Sequence, residues 1–379
     1  MRIYTKILQL LSLLVAIILV FTTNVNAQNH ANNNTDTAAN TMIHEGTVNH
    51  TTDVTAHHEK EFNITETILE HVQDSYDWHL WGNTAVHLPV LLYTNKGFEV
   101  FSSSKLSKHH EPVLYKGNND YKVNKESGKL EIINANGTAN HETTLYDFSI
   151  TKNVASLLLS VFVILAVFIS VAKTYKKRGV TSAPKGLQSF IEPLILFVRD
   201  DIAKANIGPK YAKYMPFLLS LFFFIWLNNM FGLIPFFPGG VNLSGNIAFT
   251  MVLAVIVFFV VNFSANANYW KHIFWMPDVP VIMKIFLAPI ELLGIFIKPV
   301  SLMIRLFANI TAGHILVLAL ICLIFFLKHI AVATVAVPFA SFIYCIELLV
   351  AFLQAFIFTM LTSLYIGMAI EEHHHEEAH

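Results

Sequence analysis

VIMKIFLAPIELLGIFIKPVSLMIRLFANITAGHILVLALICLIFFL, residues 281–327, and AVATVAVPFASFIYCIELLVAFLQAFIFTMLTSLYIGMAI, residues 331–370, are two apolar runs parted at Lys328-His329. Each exceeds 39 residues. As a single helix either would measure about 60 Å or more, twice the roughly 30 Å of a bilayer's apolar core. Such helices tilt strongly or leave the membrane, and we read the pair as a long, tilted antiparallel hairpin turning at His329. Folding each run into two spans is the competing arrangement; it leaves the parity of the chain ends unchanged.

Three shorter apolar runs precede the hairpin: Asn153 to Ala172, about Tyr214 to Phe237 with Asn228 and Asn229 inside it, and Gly245 to Phe263. Each is long enough to cross. With 54% hydrophobic and 13% charged residues and a mean hydropathy of +0.52, the chain is too apolar for a soluble protein of 379 residues. The expected fold is an all-α integral membrane protein of about five transmembrane helices with an exported N-terminal extension. The stretch Gly186 to Lys213 mixes apolar residues with Glu192, Arg199, Asp200, Asp201 and Lys204, and reads as an amphipathic helix on the cytoplasmic surface.

Orientation follows from two independent signals. Lys173, Lys176, Lys177 and Arg178 crowd the end of the first span and assign it to the cytoplasm. The chain opens with a basic start, an apolar run from Ile7 to Phe21 and a small-x-small site at Val25-Asn26-Ala27, so residues 1–27 read as a secretory signal peptide. An uncleaved signal anchor fits the same pattern, and either leaves the next segment outside. Residues 28–147 are then an exported polar extension, partly disordered: Asn, Thr, Ala and His dominate to about His58, while turn signals and short alternating runs from Glu59 to Asp147 suit a small domain. Its histidines, among them His57, His58, His109 and His110, show no ligand spacing and read as solvated surface. Residues 148–379 form the membrane domain, ending in a cytoplasmic EEHHHEEAH.

The chemistry lies in the hairpin. Lys284, Glu291, Lys298 and Arg305 recur every seven residues and share one helix face. The two lysines and Glu291 suit a snorkelling stripe near the cytoplasmic end. Arg305 is deep in an apolar run, where a charge costs at least about 2.5–3.5 kcal/mol, and its guanidinium never releases its proton. It reads as a fixed charge; a structural ion pair with Glu347 or Glu291 is the bland alternative. Counted from the turn, Arg305 (24 before) is level with Gln354 (25 after), and His314 (15 before) with Glu347 (18 after), nearer the external end. Asn309 is one turn from Arg305, while His314 is on the opposite face, about 13.5 Å along. A histidine paired with a carboxylate suits a proton access path that approaches the arginine, because both groups are readily brought to titrate near neutrality. A static hydrogen bond between helices is the other reading.

KPVSLMIRLFANITAGH from Lys298 to His314 resembles the arginine-bearing helix of the ATP synthase subunit a family, and LLVAFLQAFIFTMLTSLYIGMAIEEH from Leu348 to His373 resembles its last helix. WLNNMFGLIP from Trp226 and GNIAFT from Gly245 support the match, which covers about Ala155 to His373 and leaves Gln28 to Asp147 outside it. The resemblance implies that Arg305 is the family's essential stator charge, with Asn309 and Gln354 as its polar neighbours. It makes His314 and Glu347 the access-channel pair, in the reverse order to that of some members, and Glu291 an acidic position of the cytoplasmic half-channel. It further implies a proton-translocating subunit with two half-channels against a rotor c-ring, a peripheral-stalk subunit b as neighbour, and a place in the bacterial inner membrane as part of a multisubunit complex. The His and Glu pair leans towards H⁺ over Na⁺. No P-loop is present, so the chain is read as moving ions without hydrolysing ATP itself; no cofactor, metal or nucleic acid is expected. Two other classes fit parts of the sequence. One is a secondary cation antiporter using Arg305, His314 and Glu347 as its own site, although the spans show no inverted repeat. The other is an anchored receptor whose exported region binds a ligand.

Overall fold

The computed structural model describes residues 73–371 except 82–83, 109–110, 125–127, 135–137, 139, 141–142, 180–182, 235–238, 277–278 and 328. The expected signal peptide, the Asn- and His-rich residues 28–72 and the acidic C-terminus fall outside the described residues.

Residues 73–151 form a small β unit. It comprises β1 (Asp77–Trp81), β2 (Thr84–His87), β3 (Pro89–Thr94), β4 (Gly97–Ser102), β5 (Ser107–Lys108), β6 (Glu111–Pro112), β7 (Tyr115–Lys116), β8 (Asp120–Val123), β9 (Leu130–Ile133) and β10 (Tyr146–Asp147). The strands make two hairpins, β1-β2 and β5-β6, and two three-stranded antiparallel sheets ordered β10-β3-β4 and β7-β8-β9. The β3-β4 turn works because Gly97 takes φ of 113°, which a side chain would resist. Val90, Leu92, Phe101, Leu106, Tyr121, Leu130 and Ile132 are buried as its core. Order here exceeds what the polar composition of the extension as a whole suggests, because cross-strand pairing at long sequence separation carries it.

The chain after β10 stays hydrogen-bonded to β3, through Phe148 N–H to Leu91 O and Ile150 N–H to Pro89 O. Lys152 N–H then donates to Ser75 O, and Asn153 N–H to Asp74 Oδ1 at 3.2 Å, so residues 74–75 satisfy two orphan donors of the helix start.

The membrane part is all helical: α1 (Lys152–Arg178), α2 (Leu187–Phe197), α3 (Tyr211–Leu233), α4 (Ile247–Ser264), α5 (Ala267–Phe274), α6 (Val281–Leu327) and α7 (Ile330–Ile370). Among the described residues five helical stretches are long and apolar enough to cross a bilayer, as the sequence leads one to expect. The second of them is longer than expected, since α2 runs through a π-helical segment (Val198–Lys204) and short turns into α3. The expected amphipathic character of this stretch is present: Ile191, Val198, Ile202 and Ala203 are buried, while Arg199, Asp200 and Lys204 form an exposed ion-paired row with both contacts at 2.7 Å. At 47 and 41 residues α6 and α7 span about 70 and 60 Å, so neither can stand upright within about 30 Å of hydrocarbon. Gly313 abuts Glu347 and Lys298 reaches Tyr365, which fixes an antiparallel pair in the expected register.

The core of the membrane part is aromatic. Phe222 and Trp226 of α3 meet Phe352 of α7 at 5.8 Å between centroids, and Phe197 meets Phe356 at 5.5 Å. Leu302 and Leu306 of α6 and Ala355 of α7 join this cluster almost fully buried. At the C-terminal end of α7 Asn266 donates its backbone N–H to Ala369 O and its side chain to Ile370 O, capping the last carbonyls of the helix.

Candidate functional site: a polar line through the hairpin

Leu302 and Leu306, three residues before Arg305 and one after it, are buried to 1% and 0% exposure. They fix the rotation of α6 about its axis and leave Arg305 half-buried beside that core. Arg305 and Gln354 fall between the two α6–α7 crossings, eight residues from Gly313 and seven from Glu347 respectively. Gln354 is 3% exposed, flanked by the small buried Ala351 and Ala355, which let the helices approach closely. Asn309 is exposed one turn beyond Arg305.

Towards the turn of the hairpin, Asn309, His314 and Glu347 line one cavity of about 20 Å³ together with Asn229, Gly232, Leu233 and Asn242. The level expected from counting is therefore realised: the expected histidine and carboxylate open onto the same space. Glu347 comes this close to α6 because residue 313 is glycine; a Cβ there would strike its Oε1. Asn229, which sequence reading noted only as a polar residue in a span, ties this region together. Its Nδ2 donates to Ala351 O at 3.1 Å and its Oδ1 accepts from Ser244 Oγ at 2.5 Å. Tyr344 Oη donates to Leu233 O and locks the same wall.

A second cavity of about 20 Å³ lies towards the end of the hairpin away from its turn, lined by Asn262, Tyr269, Lys298, Pro299 and Tyr365. Lys298 holds its ammonium 5.4 Å from the Tyr365 ring centroid, a cation–π contact that the sequence stripe of lysines did not announce. Glu291 is half-buried and does not line this cavity. It acts on it at one remove: burial, and then the Glu291 carboxylate, push the Tyr269 phenol above its ordinary value. Arg305 lines neither cavity, and its helix neighbours that do are Pro299 on one side and Asn309 on the other.

A model of the ATP synthase A chain family matches residues 154–367, which include every residue of this line. The chain belongs to the ATP synthase A chain family. Its relatives include proteins named ATP synthase subunit a from Chloroherpeton thalassium, 42% identical over 240 residues that cover 62% of this chain and 71% of the relative, and from Pelodictyon phaeoclathratiforme, 46% identical over 237 residues that cover 61% and 68%. A third, from Chlorobium phaeobacteroides, is 44% identical over 241 residues, 62% and 69% of the two chains. The β unit matches separately: residues 67–150 fit a domain of unknown function, DUF8433.

Proposed function

We propose that this family member is the proton-translocating stator subunit of the ATP synthase membrane sector, carrying protons between the two sides of the membrane and a rotating ring of carboxylates. The observation that carries the reading is Arg305 standing, along α6, between two cavities at different depths of the hairpin, one lined by His314 and Glu347 and the other by Asn262, Tyr269 and Lys298. A ring carboxylate travels through lipid protonated, because desolvation raises its pKa. On meeting Arg305 that pKa falls by about 1–3 units and the proton leaves. Rotation brings the carboxylate to the other half-channel, where it is protonated again. His314 and Glu347 serve the external half-channel, Glu291 the cytoplasmic one, and Asn309 and Gln354 orient the guanidinium. A permanent cation between the half-channels also repels protons that would otherwise run straight across. Each charge crossing 100 mV releases about 2.3 kcal/mol, so several per turn are needed to drive synthesis elsewhere in the complex.

In this reading the complex resides in the bacterial inner membrane, with the rotor ring and peripheral-stalk subunit b as partners. Residues 1–27 are a cleaved signal, residues 28–147 are outside, and the C-terminus is cytoplasmic. The subunit itself has no nucleotide site.

The deciding experiment measures ATP-driven acidification of inverted membrane vesicles whose only copy of this chain carries Arg305→Ala or Arg305→Lys. Loss of pumping in both, with the complex still assembled, is the expected result. Pumping by Arg305→Lys at the parent rate would show that no permanent planar charge is needed and would favour an ordinary cation-binding site instead.

A further inference from the structure

Among the described residues of the connection between α3 and α4, Asn242 sends its side chain into the cavity shared by His314 and Glu347. The backbone decides which way its amide points. Oδ1 accepts the Gly245 N–H at 2.9 Å, capping the single 3-10 turn Leu243–Gly245. The reversed amide would set an NH2 group against an N–H donor, so Nδ2 is the end that is left over. That Nδ2 is buried and finds no hydrogen-bond acceptor among the described residues. Glu347 Oε1, on the same cavity, is buried and finds no donor. Buried polar atoms are nearly always paired, directly or through water. The Asn229 amide, bonded to Ala351 and Ser244, makes no hydrogen bond to either group. The cavity's 20 Å³ exceeds the roughly 10–15 Å³ that one water requires.

We propose that Asn242 is a positioning residue of the proton path: it holds one water that bridges its Nδ2 to Glu347 Oε1, and Glu347 exchanges its proton through that water. This rests on the proton-path reading above and names a residue and a relay within it. The amide N–H occupies one lone pair of the water and one water hydrogen points at the carboxylate oxygen. The other lone pair is left to accept the incoming proton. As that proton arrives, the hydrogen directed at Oε1 transfers, so the water is regenerated and Glu347 becomes protonated. The reverse sequence discharges it. An acceptor in place of Nδ2 would turn the water round and break the relay.

Asn242→Asp separates this role from a purely structural one, since a carboxylate oxygen still caps Gly245 while the donor is lost. We expect Asn242→Asp to assemble normally and to pump about tenfold more slowly than the parent in inverted vesicles, equivalent to about 1.4 kcal/mol of barrier. Asn242→Asp pumping within about twofold of the parent, a shift of only about 0.4 kcal/mol, while Glu347→Gln is inactive, would overturn the inference and leave the proton path standing. If Glu347→Gln and Arg305→Ala also pump normally, the underlying reading itself fails. Should Asn242→Asp not assemble, a density map of the parent complex that resolves ordered waters decides. A water peak within hydrogen-bond reach of Nδ2 and Oε1 supports the relay; a direct contact between the two side chains, or no peak, overturns it.

Discussion

Replacing Gly313 by alanine would put a methyl carbon where Glu347 Oε1 already sits, with the Glu347 Cδ and Cγ only 3.1 and 3.2 Å away. Carbon contacts settle at about 3.5–4.0 Å, so the carboxylate oxygen must move by about 1 Å or more. What moves is the far end of a flexible side chain rather than backbone, and the adjoining cavity offers it room. The stability cost should therefore stay at the low end of the roughly 1–3 kcal/mol typical of overpacking. With Glu347 in its proposed role the functional cost should be far larger, because a displacement of about 1 Å in a proton-transfer group costs on the order of 10²-fold in rate. Gly313→Ala should thus leave the assembled complex at near-parental abundance and thermal stability, yet lower ATP-driven proton pumping by roughly 30- to 100-fold. Adding Glu347→Asp, which withdraws the carboxylate by one methylene, should recover part of the loss, so the double variant outperforms Gly313→Ala. Parental pumping by Gly313→Ala, or a double variant no better than the single one, would refute the argument that residue 313 is glycine to seat the Glu347 carboxylate.

Three further outcomes follow from other contacts. Asn229→Ala leaves the buried Ser244 Oγ without its acceptor, costing about 1–3 kcal/mol, and removes the cross-helix bond to Ala351 O, whose carbonyl keeps its place in the α7 ladder; it should lower the Tm of the detergent-solubilised complex. At Gly367 a Cβ would meet the backbone oxygen of Asn206, which cannot swing aside; Gly367→Ala should keep the complex from accumulating, as read by immunoblot of membranes, and not merely slow it. Burial raises the Asp74 carboxyl above 3.8, against the opposing hydrogen bonds from Thr151, Asn153 and Ser75. The folded state then binds this proton more tightly than the unfolded one, so its contribution is greatest below the ordinary value and is lost as pH rises through the folded pKa. Asp74→Asn keeps an acceptor for Asn153 N–H and should flatten that slope, measured as protease protection of residues 73–150 in the intact chain between about pH 4 and pH 7.

Hydropathy by itself was enough for the membrane helices, because the bilayer reads contiguous apolar length, a property of the chain in one dimension. The runs from Val281 and Ala331 announce two helices too long to stand upright, and α6 and α7 have those bounds to within a residue. Arg305 is legible for the same reason: a charge in the middle of such a run has no cheap explanation. Counting from His329 also brings His314 and Glu347 to one level, since a hairpin with a tight turn has only one register. What counting cannot supply is rotation about the helix axis, and tertiary packing decides that. Asn228 and Asn229 are adjacent and chemically identical, yet about 100° apart on α3. Asn228 bonds back to Phe224 O on its own helix, whereas Asn229 crosses to Ala351 O of α7 and lines the cavity. Asn242 reads in sequence as one more loop asparagine; only the Gly245 cap and the Glu347 carboxylate nearby give it a direction. The β unit lay furthest from reach, because its order rests on pairings such as β10 with β3, separated by more than 50 residues, which no local periodicity encodes.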